Sequence, residues 1–376
     1  MLLERDVRLK SLPREGGNNI ACFLLFCTFV LPAGAAPLDV FLTAMPETQA
    51  GKGYLEVGTD QMNGTLDIFN VREKDPATAG TKAGDYRGSY ATGAVRIGEG
   101  AWLSGSLGQK ALSSTTDTFN YTHWQVSGLY RFIEPSDALP AVAVRLSAWG
   151  NYAGATESTS VVVVPGARLN SVKISNPADQ QLQADVIGTW QLSPASEGSV
   201  NFGAGRSQLS YGALSATTTR NGCDYRVAFT GNNFLLTRAS PCSLDSADYY
   251  FDKSGEYGVD VANEIAWHST FIQAGVNGNW RHGPWTLMGG YLFHLERRDR
   301  VDDILASRGL PSYKQNHNIT VEADYLLSPM LTVFARAQLT SNLLLNELPV
   351  AYNSNTADRF GSRYTLFGVG LRANFQ

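Results

Sequence analysis

Serine and histidine are the residues of this chain that could attack an ester or an amide, provided that the two side chains lie within hydrogen-bond distance. On a β-strand, residues two positions apart share a face, whereas direct neighbours point in opposite directions. None of the five histidines has a serine two residues away, and His268 directly precedes Ser269. The spacing therefore predicts no Ser–His pair on one strand, and we expect that the protein is not an enzyme.

A second group of residues that could carry a function is a set of charged side chains at alternate positions of apolar segments. If these segments enclose a lumen, the set lies on its inner face. Opposed acidic and basic groups would then line a pore and orient a polar solute, or would pair with one another and fill the lumen, because a buried charge needs a partner. The set comprises Arg96, Arg131, Arg145, Asp185, Glu296, Arg298, Glu322, Asp324, Arg336 and Arg372.

The cysteines indicate a disulfide. Cys22 and Cys27 lie in an apolar leader, so a mature chain without the leader keeps only Cys223 and Cys242. An even count in an oxidising compartment predicts that these two form a disulfide within residues 209–264, a long segment between strands. Residues 225–229 and 233–236 of this segment are candidates for a small hairpin. A lid, a pore constriction, a partner-binding surface and a stapled external loop are the alternatives for the segment.

The sequence predicts neither a cofactor nor a metal site. It contains no glycine-rich phosphate loop and no zinc or calcium spacing, and Asp60 and the pair Asp302-Asp303 are too sparse to hold a cation. The formal net charge of −4 lacks the basic field that nucleic-acid binding requires.

The beginning of the chain has the features of a secretory signal. Four basic residues within positions 1–19 precede an apolar run at 20–32, and Ala33-Gly34-Ala35 supplies the small residues of a cleavage site. We predict that residues 1–35 are a cleaved signal peptide and that residues 36–376 form the mature protein. Beyond residue 36, no apolar run approaches the about 20 residues of a membrane-spanning helix, which excludes a helical membrane protein.

The elements that would position the charged set are β-strands with a period of two. In residues 318–327, for example, Ile319 and Val321 lie on one face, and Glu322 and Asp324 on the other. Such segments alternate between lipid and lumen in a transmembrane barrel. The pattern predicts twelve strands, at about residues 65–72, 89–98, 101–111, 121–132, 142–152, 182–192, 198–208, 265–281, 285–297, 318–327, 331–340 and 362–375.

The connections between these strands alternate in length. Short connections at 99–100, 133–139, 194–197, 282–284 and 328–330 are typical of periplasmic turns. Long connections at about 73–88, 112–120, 153–180, 209–264, 298–317 and 341–361 are typical of extracellular loops. The only segment without a clear place is 53–63, which as a strand paired with 65–72 would raise the count to fourteen.

The final segment carries a resemblance to a known family. Residues 364–376 (YTLFGVGLRANFQ) have apolar residues at alternating positions and an aromatic, Phe375, one place before the end. This pattern resembles the closing strand of Gram-negative outer-membrane β-barrel proteins, porins among them. The resemblance implies an antiparallel up-and-down barrel, insertion by the barrel-assembly machinery, and contact with outer-membrane lipid and lipopolysaccharide.

Three functions are compatible with such a barrel. Our leading hypothesis is a narrow, monomeric channel for small polar or sugar-like solutes, because twelve strands lie between the filled barrels of about 8 strands and the open ones of about 16. The alternative is a closed structural or surface-interaction barrel that binds a partner or a polysaccharide through its loops. A lipid-modifying enzyme would require serine and histidine from different strands to meet at the outer rim.

Overall fold

Long antiparallel strands make up most of the described chain, because apolar and polar side chains alternate along the sequence. The computed structural model describes residues 40–62, 85–113, 118–136, 139–158, 162–164, 167–230, 233–244, 247–251, 265–342, 349–354, 357–361 and 363–375. The predicted leader at 1–35 and the strand predicted at 65–72 lie outside these ranges. Within the ranges, no helix has the length and the apolar character needed to cross a membrane.

The described part of the chain contains nineteen strands and two short α-helices. The strands are β1 (Gly53–Met62), β2 (Asp85–Gly98), β3 (Ala101–Ser113), β4 (Thr118–Ile133), β5 (Ala141–Tyr152), β6 (Ala155–Ser158), β7 (Val162–Val164), β8 (Ala167–Ser175), β9 (Ala178–Ser193), β10 (Ser196–Ser210), β11 (Ala213–Arg220), β12 (Cys223–Thr230), β13 (Asn233–Arg238), β14 (Tyr249–Phe251), β15 (Trp267–His282), β16 (Trp285–Arg298), β17 (Gln315–Ser328), β18 (Leu331–Thr340) and β19 (Tyr364–Phe375). The helices are α1 (Glu47–Ala50) and α2 (Val301–Ser307), and 3₁₀ turns cover Pro349–Ala351 and Ala357–Phe360.

Twelve of the strands close into a barrel, in the order β1-β19-β18-β17-β16-β15-β10-β9-β5-β4-β3-β2. The strand β1 closes the ring by pairing with β2 on one side and with β19 on the other, so that Gly53 faces both Val95 and Phe375. The prediction of twelve strands is confirmed. The first of them is Gly53–Met62, however, and because the ring is complete with it, the fourteen-strand alternative is wrong.

The outer wall of the barrel is apolar, whereas the inner wall is polar. Along β10, for example, Val200 and Phe202 are exposed, while Ser199 and Asn201 between them are buried. Trp190, Trp280 and Trp285 lie on the outer face at the ends of their strands that carry the short turns. A closed barrel satisfies its backbone hydrogen bonds inside a bilayer, and an apolar band with aromatic ends is typical of outer-membrane barrels. The predicted fold and location are confirmed.

Short turns join the strands at the periplasmic end, and longer segments join them at the extracellular end. Gly100 and Gly283 occupy tight turns with φ of +65° and +57°, a conformation that residues with a Cβ rarely adopt. One predicted long connection is wrong. The strand β3 ends at Ser113 and β4 begins at Thr118, so the connection between them is residues 114–117 instead of 112–120. The strands are longer than predicted because polar residues at the rim of a barrel continue the hydrogen-bond ladder.

Two extracellular segments form a second, seven-stranded sheet in the order β14-β13-β12-β11-β8-β6, with β7 paired to β8. The strands β8 and β11 continue the β9–β10 pair outward, and the Gly212 amide donates to the Ser175 carbonyl at the junction. The predicted hairpin at 225–236 is confirmed as β12 and β13. Residues 209–264 are therefore not a plain loop, since the four strands β11 to β14 lie within them. We call the whole seven-stranded sheet the external sheet.

Candidate functional site

The inner wall of the barrel carries a cluster of five charged side chains near the seam between β1 and β19. The Arg372 guanidinium lies 2.7 Å from Glu56, 2.9 Å from Glu322 and 2.8 Å from Asp324. Arg336 pairs with Glu322 and lies 3.6 Å from Glu56. The register explains the cluster, because Arg372 faces Glu56 across the seam and Arg336 faces Glu322 on the neighbouring pair of strands.

Tyr90 of β2 extends this network toward the opposite side of the seam. Its hydroxyl donates to Glu56 Oε1 at 2.9 Å and accepts a hydrogen bond from Arg336 Nη1 at 3.2 Å. All three side chains are buried. Each arginine of the cluster thus has carboxylate partners, which is the arrangement that a buried charge requires.

A second ion pair lies across β5 and β9, where Arg145 and Asp185 face each other in the register. Arg145 Nη2 lies 2.9 Å from Asp185 Oδ2, and both side chains are buried. The other carboxylate oxygen accepts hydrogen bonds from Gln183 at 2.8 Å and from Gln273 at 3.0 Å. The lumen is thus filled by paired charges at this position as well.

The extracellular end of the lumen is covered by a lid, which we define as residues 299–314 with α2 and the described residues of 341–363. Val301, Leu305, Tyr352 and Phe360 of the lid pack against Trp267 of the wall in one buried apolar cluster. The Trp267 indole donates to the Tyr352 carbonyl at 2.9 Å. These contacts close the extracellular mouth within the part of the chain that the structure describes.

Arg298 links the wall to this lid. It pairs with Glu296, donates to the Tyr313 carbonyl at 3.0 Å, and places its guanidinium 4.3 Å from the centre of the Tyr352 ring. Burial raises the pKa of the Tyr352 phenol, so its hydroxyl stays neutral beside this cation. The predicted residues Glu296 and Arg298 therefore hold the lid rather than face open water.

The periplasmic end of the lumen contains residues 40–51, which precede β1 and which we call the N-terminal plug. Arg131 of β4 pairs with Glu47 of the plug and donates to the Ala44 carbonyl at 3.3 Å. On the other side, Thr48 donates to Glu197 at 3.1 Å, and its carbonyl accepts from Arg281 at 3.0 Å. Polar anchors on several strands thus hold the plug.

The deeper part of the plug packs against small and apolar residues of the wall. Leu42, Ala44 and Met45 form one buried cluster with Ala141, Ala143 and Ile187. The Ala44 amide also donates to Thr189 Oγ1 at 2.8 Å, and the Leu42 carbonyl accepts from Asn277 at 2.9 Å. At Gly290 a Cβ would come within 2.6 Å of Val40 Cγ1, so a glycine makes room for the plug there.

A cavity of ≈ 220 Å³ remains between the plug and the seam cluster. Plug residues, including Leu42 and Thr43, line one side of it, and Glu56, Arg336 and Arg372 line the other. Every one of these three charged side chains has a partner of opposite charge. The cavity is therefore a small chamber with apolar and charged walls, inside a lumen that is occupied at both ends.

Of the ten charged residues singled out from the sequence, nine lie inside the barrel in the pairs described above. Arg96 differs, since it is exposed at the periplasmic turn, where its Nε donates to the Gly98 carbonyl. Sequence reasoning missed Glu56, Glu197 and Arg281, although Glu56 alternates with the exposed Val57 and so carried the same signal. It also missed the plug, whose sequence has no periodicity.

The histidines and serines do not form a hydrolytic pair along a strand. His268 is exposed, whereas Ser269 is buried and its hydroxyl donates to Glu296 at 2.6 Å, as expected for neighbours on opposite faces. His123 lies inside the barrel, 6.2 Å from the Trp149 ring, and His317 lies on the outer wall beside Tyr291. Among the described residues, no group of three or more His, Cys, Asp or Glu side chains is placed to hold a metal ion.

The external sheet has one buried and one exposed face. Leu169, Tyr225 and Leu236 form a buried cluster with Cys223, which is joined to Cys242 by the predicted disulfide. On the opposite face, one row across four strands presents the polar side chains Ser171, Thr217, Arg226 and Thr237. Beside this row, Tyr250 is 64% exposed.

No family model and no curated protein matches this sequence. Among solved structures, the translocator domain of the autotransporter NalP from Neisseria meningitidis is 11% identical, with a TM-score of 0.45, over 86% of this chain and 89% of that one. LpxR from Salmonella typhimurium is 10% identical, with a TM-score of 0.41, over 86% and 100%. The CymD monoaromatic hydrocarbon channel is 11% identical, with a TM-score of 0.40, over 92% and 95%. Such weak likeness transfers no activity.

Proposed function

We propose that this outer-membrane β-barrel is closed in its resting state and acts as a surface-interaction protein through its external sheet. The observation that carries the proposal is the filled lumen. The lid occupies the extracellular mouth, the N-terminal plug occupies the periplasmic end, and the charges between them are paired. A channel that conducts at rest would need a continuous aqueous path through the lumen.

The external sheet supports the second half of the proposal. A barrel needs only short loops to close its strands, yet two segments of this chain build a further sheet with its own buried cluster and a disulfide. Long ordered segments of this kind are generally functional. The exposed row of Ser171, Thr217, Arg226 and Thr237 offers hydrogen-bonding groups on a flat surface, and Tyr250 offers an aromatic ring beside them. This combination suits a polysaccharide.

Closure is tested by electrical recording on the purified protein in a planar bilayer. We expect no steady conductance from the folded wild-type barrel, with folding checked by heat-modifiable migration in gel electrophoresis. A steady conductance from the wild type would contradict the proposal that the lumen is closed at rest.

Binding by the external sheet is tested on an array of bacterial surface polysaccharides. We expect the wild type to bind one class of glycan, and the variants Thr217→Glu and Tyr250→Ala to lose that binding. Thr230→Glu is the matched control, because Thr230 lies on the same exposed face but at the end of β12. Binding to no glycan, or equal binding by all four proteins, would contradict a polysaccharide-binding role for this surface.

A second candidate function is a gated channel for small polar or sugar-like solutes, and the cavity of ≈ 220 Å³ beside the plug favours it. In this alternative, the plug and the lid both move aside, because each of them closes one end of the lumen. A variant that lacks residues 40–50 and has both lid segments replaced by short glycine-serine linkers then conducts, whereas the wild type does not. If this variant folds and stays silent, the gated channel is excluded and the closed barrel stands alone. Neither candidate involves catalysis.

A further inference from the structure

The outer wall of the barrel carries very few charges. Among the outward side chains that the structure describes on the twelve strands, the only Asp, Glu, Lys or Arg residues are Arg87, Arg206 and Arg297. All three are exposed and lie toward the extracellular ends of their strands. A charge on the lipid face costs about 2–4 kcal/mol at the middle of the bilayer and little at the interface, so their level matters.

Arg206 and Arg297 lie in the same row of the wall. Arg206 of β10 is the register partner of Thr270 on β15, and Thr270 is the partner of Arg297 on β16. Two steps of about 4.8 Å between strands place the backbones of the two arginines about 10 Å apart. Arginine side chains reach far enough to converge between them, and no acidic outward residue lies in this row.

The row lies at the expected height of the outer-leaflet headgroups. Trp280 marks the periplasmic interface on the same strand as Thr270, ten residues away. With a rise of about 3.4 Å per residue and a tilt of about 40°, the row is about 25 Å above Trp280, which equals the height of the apolar band. Exposed Phe202 and Ile272 lie on the bilayer side of the row, and Gln208 and His268 on the aqueous side.

We propose that Arg206 and Arg297 form a binding site for the phosphate groups of lipopolysaccharide in the outer leaflet. Guanidinium groups bind phosphate with paired, charge-assisted hydrogen bonds. The apolar surface directly below the row receives the acyl chains of the same lipid. Neither arginine has an ion pair or a hydrogen bond within the described structure. Of the two carboxylates nearest to Arg297 in sequence, Glu296 is buried in the lumen and pairs with Arg298, and Asp299 accepts a hydrogen bond from the His268 amide at 2.6 Å.

The opposite side of the barrel supplies a matched control. Arg87 on β2 is five strands away from β10 in one direction around the ring and five from β16 in the other. Its register partners are Gln61 and Ala111, so no second arginine lies beside it among the outward side chains that the structure describes. A single guanidinium without a neighbour lacks the second phosphate contact that the Arg206–Arg297 row offers.

The test is native mass spectrometry of the folded barrel in detergent with added bis-phosphorylated lipid A. We expect the wild type and Arg87→Gln to retain lipid A to within about twofold, and Arg206→Gln/Arg297→Gln to bind it at least about tenfold more weakly, as lost charge-assisted bonds predict. Equal weakening in the double variant and in Arg87→Gln would overturn the site, because it would indicate a general charge effect.

Two further lipids test the ligand itself with the wild-type protein alone, so the proposal does not depend on the folding of a variant. Lipid A stripped of its phosphates and phosphatidylglycerol should each bind about tenfold more weakly than bis-phosphorylated lipid A. If dephosphorylated lipid A binds equally well, the phosphate contact is wrong. If phosphatidylglycerol binds equally well, the site recognises anionic lipid in general and not lipopolysaccharide.

Discussion

The two ends of the lumen are closed by different means. At the extracellular end, aromatic and aliphatic residues of the lid pack with Trp267 into one buried cluster that includes residues of several wall strands. At the periplasmic end, the N-terminal plug has only a small apolar contact with Ala141, Ala143 and Ile187 and is held mainly by hydrogen bonds and one ion pair to wall arginines.

This difference indicates which end can open. Burial of large apolar side chains makes the lid part of the folding core, so opening it would cost a large part of the stability of the barrel. Hydrogen bonds that exchange with water contribute only about 0.5–1.5 kcal/mol each. We therefore expect the plug to leave the lumen more easily than the lid while the barrel stays folded. Of the four predictions below, the first and the last test this contrast directly, and the other two measure the regions between and beyond the two ends.

The largest loss of stability is expected where the lid packs against the wall. Replacing the buried Trp267 with alanine should lower the free energy of unfolding by about 4 kcal/mol, because it leaves a cavity in the aromatic cluster. Urea unfolding in detergent, followed by tryptophan fluorescence, measures this loss. The control is Trp280→Ala, which removes a lipid-facing indole and should cost much less; equal losses would show that the lid is not a core.

The second-largest loss of stability is expected at the seam cluster in the lumen, between the two ends. Glu322→Gln leaves Arg336 and Arg372 with one carboxylate charge fewer in a buried site, and breaking such a network costs about 3 kcal/mol. The same unfolding experiment measures it. Asp303→Asn, an exposed change on α2, should be nearly neutral. A neutral Glu322→Gln variant would mean that water reaches the seam cluster and solvates it.

A smaller and local effect is expected for the external sheet. Replacing Cys223 and Cys242 with serine should cost about 2–3 kcal/mol within that sheet, because the unfolded segment gains conformational freedom. Limited proteolysis should then cut residues 213–251 faster, while heat-modifiable migration of the barrel stays unchanged. Loss of the folded barrel would show instead that the external sheet and the barrel wall unfold together.

The smallest effect on stability is expected at the plug, where Arg131→Gln should cost about 1–2 kcal/mol. The more telling readout is access to the plug. In an Ala44→Cys background, Arg131→Gln should increase the rate at which a water-soluble maleimide modifies the new thiol. Arg96→Gln is the control, because the Arg96 side chain is exposed near the same end and donates to the Gly98 carbonyl of its own turn. Equal labelling rates would contradict a detachable plug.

The barrel could be predicted from the sequence because its signal is local. Each strand alternates between lipid and lumen, so the faces of Arg145 and Glu322 follow from their immediate neighbours. The partners of these residues do not follow. Arg372 contacts Glu56 only because β19 pairs with β1, and no local pattern in the sequence predicts that register. The face of a residue was therefore predictable, whereas its role in a filled lumen was not.

The external sheet and the plug could not be predicted from local sequence patterns, because both depend on contacts between distant parts of the chain. The strand β8 pairs with β11 from a different extracellular segment, so the sheet exists only once the β9–β10 pair has brought the two segments together. The plug is shaped by the wall that surrounds it, since Gly290 and Ala143 make room for it. The sequence does not place β1 clearly, although Leu55 and Val57 alternate with Glu56 and Gly58, because the glycines of this short stretch weaken the pattern.

The seam between β1 and β19 has a consequence for assembly. Gly53 and Phe375 are neighbours in space but lie far apart in the sequence, so the ring cannot close before β19 has been synthesised and delivered. Contacts of such sequence separation make folding slow. The plug joins β1 at its periplasmic end and needs no threading, so it can enter a ring that is already shut. A ring that closes before the plug enters would then be open on the periplasmic side, and the lid alone would close the lumen for as long as the plug lags behind.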